Sequence, residues 1–170
     1  MDTKSKPIDE IDIKILNLLQ QNSRITIREL SENTSLSSTP IHERIKKLEK
    51  DGIIKQYITL LDPKKIDKKL LVYISVNLIK HTKDAVDKFI DDINQLDEVL
   101  EAYYISGNSD FLLKVYCLGM DEYHQFITEK FSVIENMSQF YSSFVLTESK
   151  VTYQFKLKTE SDKDQFLHPL

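Results

Sequence analysis

At 170 residues, 41% of them hydrophobic and 29% charged, the chain has ordinary globular composition and enough length for one domain or two small ones. No apolar run reaches the roughly 18 residues that span a bilayer. The opening MDTKSKPIDE has no apolar signal core and a single cysteine excludes an internal disulfide, so a cytoplasmic protein without a membrane partner is expected. The net charge of −4 is unevenly spread: residues 1–60 carry 10 Lys+Arg against 9 Asp+Glu, leaving +1, whereas residues 61–170 carry 13 against 18, leaving −5. Nonspecific affinity for nucleic acid from so small an N-terminal surplus is expected to be modest, and two or more copies acting together would compensate.

In chain order, Asp9 and Asp12 are placed to cap a first helix that runs to about Gln21. Its apolar positions Ile8, Ile11, Ile15, Leu18 and Leu19 form a broad stripe, widened by Ile13 and Leu16. Thr26-Ile27-Arg28-Glu29 is a capping box, with Ile25 and Leu30 as the hydrophobic staple around it. A second helix thus starts near Thr26 and is expected to end before the turn Asn33-Thr34-Ser35. In residues 37–52, Ile41, Ile45 and Leu48 recur at i, i+4 and i+7, and Gly52 stops the helix they define. Ser37, Ser38 and Thr39 are its candidate caps, and Pro40 sits in the first turn, where a missing N–H is harmless.

Two short helices joined by a polar turn, the second with one apolar stripe, make a helix-turn-helix, whose second helix enters the major groove of double-stranded DNA. A plain helical hairpin is the alternative that this pattern alone leaves open. On the DNA reading, residues 38–50 are the recognition helix. Ser38, Thr39, His42 and Glu43 are the candidate base-facing positions, beside Pro40, and Arg28, Arg44, Lys46, Lys47 and Lys50 the candidate phosphate contacts. Arg44 lies close to the apolar stripe, so a structural role against the first helix competes with its phosphate role.

Residues 53–60, IIKQYITL, are expected to form the strand of a wing, and residues 61–69, charged and carrying Pro63, a linker. The style then changes. Strand-like residues 70–79 precede a helix over 82–96 with Ala85, Val86, Phe89, Ile90 and Ile93, then a strand over 98–105. A turn at 106–109, a strand over 110–118, a helix over 121–134 with Tyr123, Phe126, Ile127 and Phe131, and a strand over 140–146 complete a βαββαβ order. The fold class is therefore α+β: a winged helix-turn-helix over 8–60 and a ferredoxin-like domain over 70–158. Residues 151–157 alternate apolar and polar and could add a fifth strand or pair with another chain; 159–170 is a polar tail.

Catalytic chemistry is thin. His42, His81, His124 and His168 have no metal-ligand spacing, no phosphate loop or nucleophile motif is present, and Cys117 is most simply a small core residue. No cofactor, metal or catalytic residue is expected.

The run LSSTPIHERIKKLEKDGIIKQY, the segment EVLEAYYISGNSDFLLKV and the ending SFVLTESK, in that order across residues 8–157, resemble the Lrp/AsnC (feast/famine) transcriptional regulators. The resemblance implies a DNA-binding unit joined to a ligand-sensing βαββαβ unit, dimers through the latter, often tetramers of dimers, and amino-acid effectors bound between dimers. It also implies that the turn Ser106-Gly107-Asn108-Ser109-Asp110 lines the effector site and that Ser142 and Ser143 on the last strand contribute hydroxyls. Backbone N–H groups around Gly107 could meet an effector carboxylate and Asp110 its ammonium, although a simple hairpin turn explains Gly and Asn equally well. Asn108 replaces an acidic residue usual in the family, and Ser142 a threonine. Two other readings share this layout: an amino-acid-binding regulatory subunit with a vestigial DNA domain, and a siroheme-decarboxylase-like enzyme. Against the enzyme, no arginine follows Arg44, and arginine is the natural bidentate partner of a tetrapyrrole's carboxylates.

Overall fold

The computed structural model describes residues 8–159. They form two compact units: the first holds 8–59 together with 151–159, the second 60–150.

The first unit is a trihelical cluster, α1 (Glu10–Gln21), α2 (Ile27–Thr34) and α3 (Ser38–Lys50). Two reciprocal capping boxes start the first two helices. Asp9 accepts from the Asp12 N–H at 2.8 Å while Asp12 accepts from the Asp9 N–H at 3.2 Å, and Thr26 and Glu29 exchange the equivalent pair at 3.2 and 2.8 Å. Ile15, Leu16, Leu30, Ile41 and Leu48 are buried together, each side chain stabilising the cluster by about 1.5–3 kcal/mol. Helix α2 runs through Thr34, two residues into the expected turn, because Ser35 takes the left-handed conformation (φ 58°) and its N–H closes on the Ser31 carbonyl at 2.9 Å. Gly52 (φ 72°) ends α3, and the N–H groups of Ile53 and Ile54 both turn back to the Leu48 carbonyl at 2.9 and 3.1 Å.

The expected wing strand over 53–60 is not formed. Its first two donors serve the end of α3, and among the described residues the remaining backbone has no neighbouring strand to pair with. Tyr57 instead reaches back to Glu49 of α3 through its hydroxyl at 2.9 Å. Burial, with the Glu49 carboxylate beside it, pushes the Tyr57 phenol up to about 12.

In the second unit a 3₁₀ turn at Pro63–Ile66 lies within the expected linker. It leads to β1 (Leu70–Leu78), α4 (Lys83–Ile93), β2 (Val99–Tyr104), β3 (Phe111–Cys117), α5 (Met120–Gln125) and β4 (Met137–Phe144). The antiparallel sheet has the order β2-β3-β1-β4, as a split βαβ arrangement requires. Val72, Ile74, Val76 and Leu78 of β1 and Phe111, Leu113, Val115 and Cys117 of β3 face the helices, where Phe89, Ile93, Phe126 and Phe131 complete the core.

The helix expected over 121–134 changes pitch. After α5 the chain makes a π turn over Phe126–Phe131. In a regular α-helix two residues five apart are separated by about 140° around the axis, whereas the wider turn brings them to one side. Phe126 and Phe131 accordingly stack with centroids 5.4 Å apart, both fully buried. Strand β4 begins at Met137, three residues before expected, because Asn136 (φ 69°) makes the turn and Met137 then pairs with Leu78 across a bulge. No strand forms over 151–157.

Candidate nucleic-acid and effector sites

Each unit presents one candidate site. On α3 the stripe Ile41, Ile45 and Leu48 faces the cluster, with Ile41 and Leu48 buried and Ile45 half-buried. The rest of the helix surface is open: Ser38, Thr39, His42, Glu43, Lys46, Lys47 and Lys50 are all exposed, and Pro40 is half-buried. Unlike α1 and α2, α3 begins without a side-chain hydrogen bond at its cap, Ser37, so that its first N–H groups are not taken by that residue. Arg28, on α2, is exposed and pairs with Glu32 one turn on at 3.0 Å.

Arg44 differs from the other basic residues. Its Nη1 donates to Asp12 at 2.7 Å and to Asp9 at 2.6 Å, joining α3 to the start of α1. Those hydrogen bonds, first to Asp12 and then to Asp9, raise the guanidinium pKa further. At Asp9 partial burial works against ionisation, but the Asp12 N–H and Arg44 outweigh it and hold the carboxyl below its usual value. The capping motif at Asp9 and Asp12 was visible in the sequence, as was a structural role for Arg44 against the first helix; that these two carboxylates are its partners was not, since nothing local in the chain marks a pair 32 residues apart.

The second site is the β2–β3 hairpin. Gly107 has a φ of 131° with open space where a Cβ would be, so the turn needs glycine for its backbone and not for a close approach. Ser106, Gly107 and Asn108 are exposed and Ser109 is half-buried. Asp110 is committed to the protein itself: it accepts from the Leu78 N–H at 2.7 Å and lies 3.0 Å from His81 Nε2. The Leu78 N–H, with a smaller part from His81, keeps its carboxyl below the usual range against partial desolvation. Asn77 ties the loop from the same strand end, donating to the Asn108 carbonyl at 3.1 Å. Neither Asn77 nor His81 was a sequence-level candidate, because both belong to the other end of a strand pairing.

Asp110 therefore has a role without any ligand. Asp110→Ala is expected to lower the stability of the second unit by about 1–2 kcal/mol at neutral pH, in urea titrations with nothing added. The sign with pH follows from the lowered pKa: the contribution is present above the unfolded value of about 4 and disappears as pH falls through the lower folded one. Wild type and variant should converge in acid.

Ser142 and Ser143 are not brought together. Ser142 pairs with Ile74 and faces the helices, where its hydroxyl hydrogen-bonds Tyr123; Ser143 pairs with Tyr73 on the opposite face. Phe144 also faces the helices, edge-on to Tyr123 at 5.2 Å. The face away from the helices carries Tyr73, Leu112, Tyr116, Tyr103 and Tyr141, with Lys114 and Glu101 paired among them at 2.9 Å. Among the described residues no group of His, Cys, Asp and Glu could hold a metal ion, and no helix is long and apolar enough to cross a membrane. Cys117 is fully buried, and burial pushes its thiol up to about 11.

Comparison with known proteins matches both units. Residues 8–55 fit the winged helix-turn-helix DNA-binding family and residues 71–155 the Lrp/AsnC ligand binding domain. The glutamate uptake regulatory protein of Zymomonas mobilis is 36% identical over 158 residues, covering 93% of this chain and 96% of that one. The leucine-responsive regulatory protein of Haemophilus influenzae is 37% identical over 155 residues, covering 91% and 93%. A transcriptional regulator from Neisseria meningitidis, solved as an L-Met complex, superposes with a TM-score of 0.83 at 36% identity over 88% of this chain and 96% of that one. With the helix-turn-helix, the βαββαβ unit and relatives of nearly full length that are regulators and not enzymes, the chain belongs to the Lrp/AsnC family of DNA-binding transcriptional regulators.

Proposed function

We propose that α3 docks in the major groove, with Ser38, Thr39, His42 and Glu43 toward base edges and Lys46, Lys47 and Lys50 toward phosphates, and that an amino acid binding at the second unit modulates this. The observation that carries the DNA reading is the surface of α3: a buried stripe of Ile41 and Leu48 and, around it, an exposed face of hydroxyls, His42, two carboxylates and three lysines. Arg44 is left out of the contact set, since its charge is already matched by Asp9 and Asp12.

The amino-acid class of effector is supported by the relatives named for glutamate uptake and leucine response and by the L-Met complex. In this chain the turn Ser106–Ser109, exposed over its first three residues, offers backbone donors, and Ser143 a hydroxyl, while Asp110 serves the loop's own architecture. The effector's ammonium then needs another acceptor. Self-association would supply one and would also cover the tyrosine-rich outer sheet face, leaving paired recognition helices at a fixed spacing.

Calorimetric titration with each of the twenty amino acids, alongside light scattering at micromolar protein, tests this reading. Heat with at least one amino acid, a mass of a dimer or larger, and a change in DNA affinity between about 5-fold and 150-fold are expected. A monomeric mass together with no heat across the set would leave an effector-independent regulator.

A further inference from the structure

Residues 151–157 alternate apolar and polar as a strand does, yet they pair with no strand. They lie extended along the second half of α1. Gln20 meets them as the edge of a sheet would: its Oε1 accepts from the Phe155 N–H at 2.7 Å and its Nε2 donates to the Phe155 carbonyl at 3.1 Å. Gln154 answers by donating through Nε2 to the Gln20 carbonyl at 3.0 Å, one of the last-turn carbonyls that have no donor within the helix. One turn earlier, Asn17 donates to the Leu157 carbonyl at 3.2 Å. Leu157 packs against the cluster of Ile15, Leu30, Ile41 and Leu48, while Val151, Tyr153 and Phe155 point outward.

We infer that the Asn17–Gln20 face of α1 is a receptor for an extended backbone and that its occupant is this chain's own residues 154–157, which act as a strap on the DNA-binding unit. The first unit is thus built from two stretches and joined to the second by two chain crossings, at 59–60 and at 150–151. Residues 145–153 separate the end of β4 from the first strap contact, at Gln154. Helix α1 in turn holds α3 through Asp9, Asp12 and Arg44. Recognition is by main chain, which makes it tolerant of side-chain identity at 155, whereas Leu157 fixes the register.

Hydrogen exchange on the full chain tests the strap without DNA or effector. In Gln20→Ala the Phe155 amide should exchange about tenfold faster than in wild type, the last turn of α1 should follow, and β4 should be unchanged. Gln20→Glu keeps an acceptor for the Phe155 N–H but loses the donor to its carbonyl, so an intermediate rate is expected; this variant also separates loss of the strap from general unfolding. Equal exchange at residues 153–157 in wild type and Gln20→Ala would overturn the inference. So would protection in wild type that vanishes on dilution to the monomer, because the strap would then come from a second copy.

Discussion

Replacing Arg44 with alanine is expected to lower the stability of the DNA-binding unit by about 3 kcal/mol, the largest effect of any single exposed or half-buried charge in that unit. The reason is Asp12. Its side chain is 5% exposed, and without the guanidinium at 2.7 Å a nearly buried carboxylate loses its counter-charge. Asp9, half exposed, loses less. Both bonds use one nitrogen, Nη1, so Arg44→Lys should recover part of the loss where a two-nitrogen fork would not allow it. The pH dependence has a definite sign. Asp9 has a lowered folded pKa, so its share of the difference is present above its unfolded value and shrinks as pH falls through the folded one. Denaturant titrations of wild type and both variants at neutral and acid pH check this. In DNA titrations, the folded Arg44→Ala protein should keep the wild-type salt slope, whereas a phosphate-contacting arginine would reduce it by about one.

The fold was legible where local chemistry and periodicity agree. Asp9 with Asp12 and Thr26 with Glu29 mark helix starts in the sequence and form both capping boxes. Ile41 and Leu48 mark the buried side of α3. The expected wing strand and a fifth strand within the sheet did not form. Residues 53–60 have strand composition but, among the described residues, no strand beside them, and residues 151–157, equally strand-like, are held by Gln20 and Asn17 of α1. The π turn at Phe126–Phe131 was invisible because a spacing of five between aromatics looks like a lapse in helical periodicity until the turn itself widens.

The sites divide in the same way. The exposed polar face of α3 follows from its periodicity, so each candidate base or phosphate contact there except Arg44 and the half-buried Pro40 is exposed. The effector candidates were chosen as neighbours in sequence, and a strand sends neighbours to opposite faces: Ser142 goes to Tyr123 and Ser143 to the outer face. Asp110 has the acidic chemistry expected of it but spends it on the Leu78 N–H and His81. A carboxylate beside a glycine turn says nothing of whether a strand end elsewhere needs an acceptor.

Lys46 and Lys47 carry the most direct test of α3 as the docking surface. Both are exposed, away from the buried stripe of α3, and neither belongs to the apolar cluster that holds the unit together, which is formed by Ile15, Leu16, Leu30, Ile41 and Leu48. In a binding titration across salt concentrations, the Lys46→Ala, Lys47→Ala double variant should bind all duplex sequences more weakly, by about one to two orders of magnitude at physiological salt. Its log–log salt slope should fall by about 1.8 per protomer, because each phosphate contact releases about 0.9 of a counterion. An unchanged slope, with the variant folded as wild type, would contradict the assignment of α3 to the DNA.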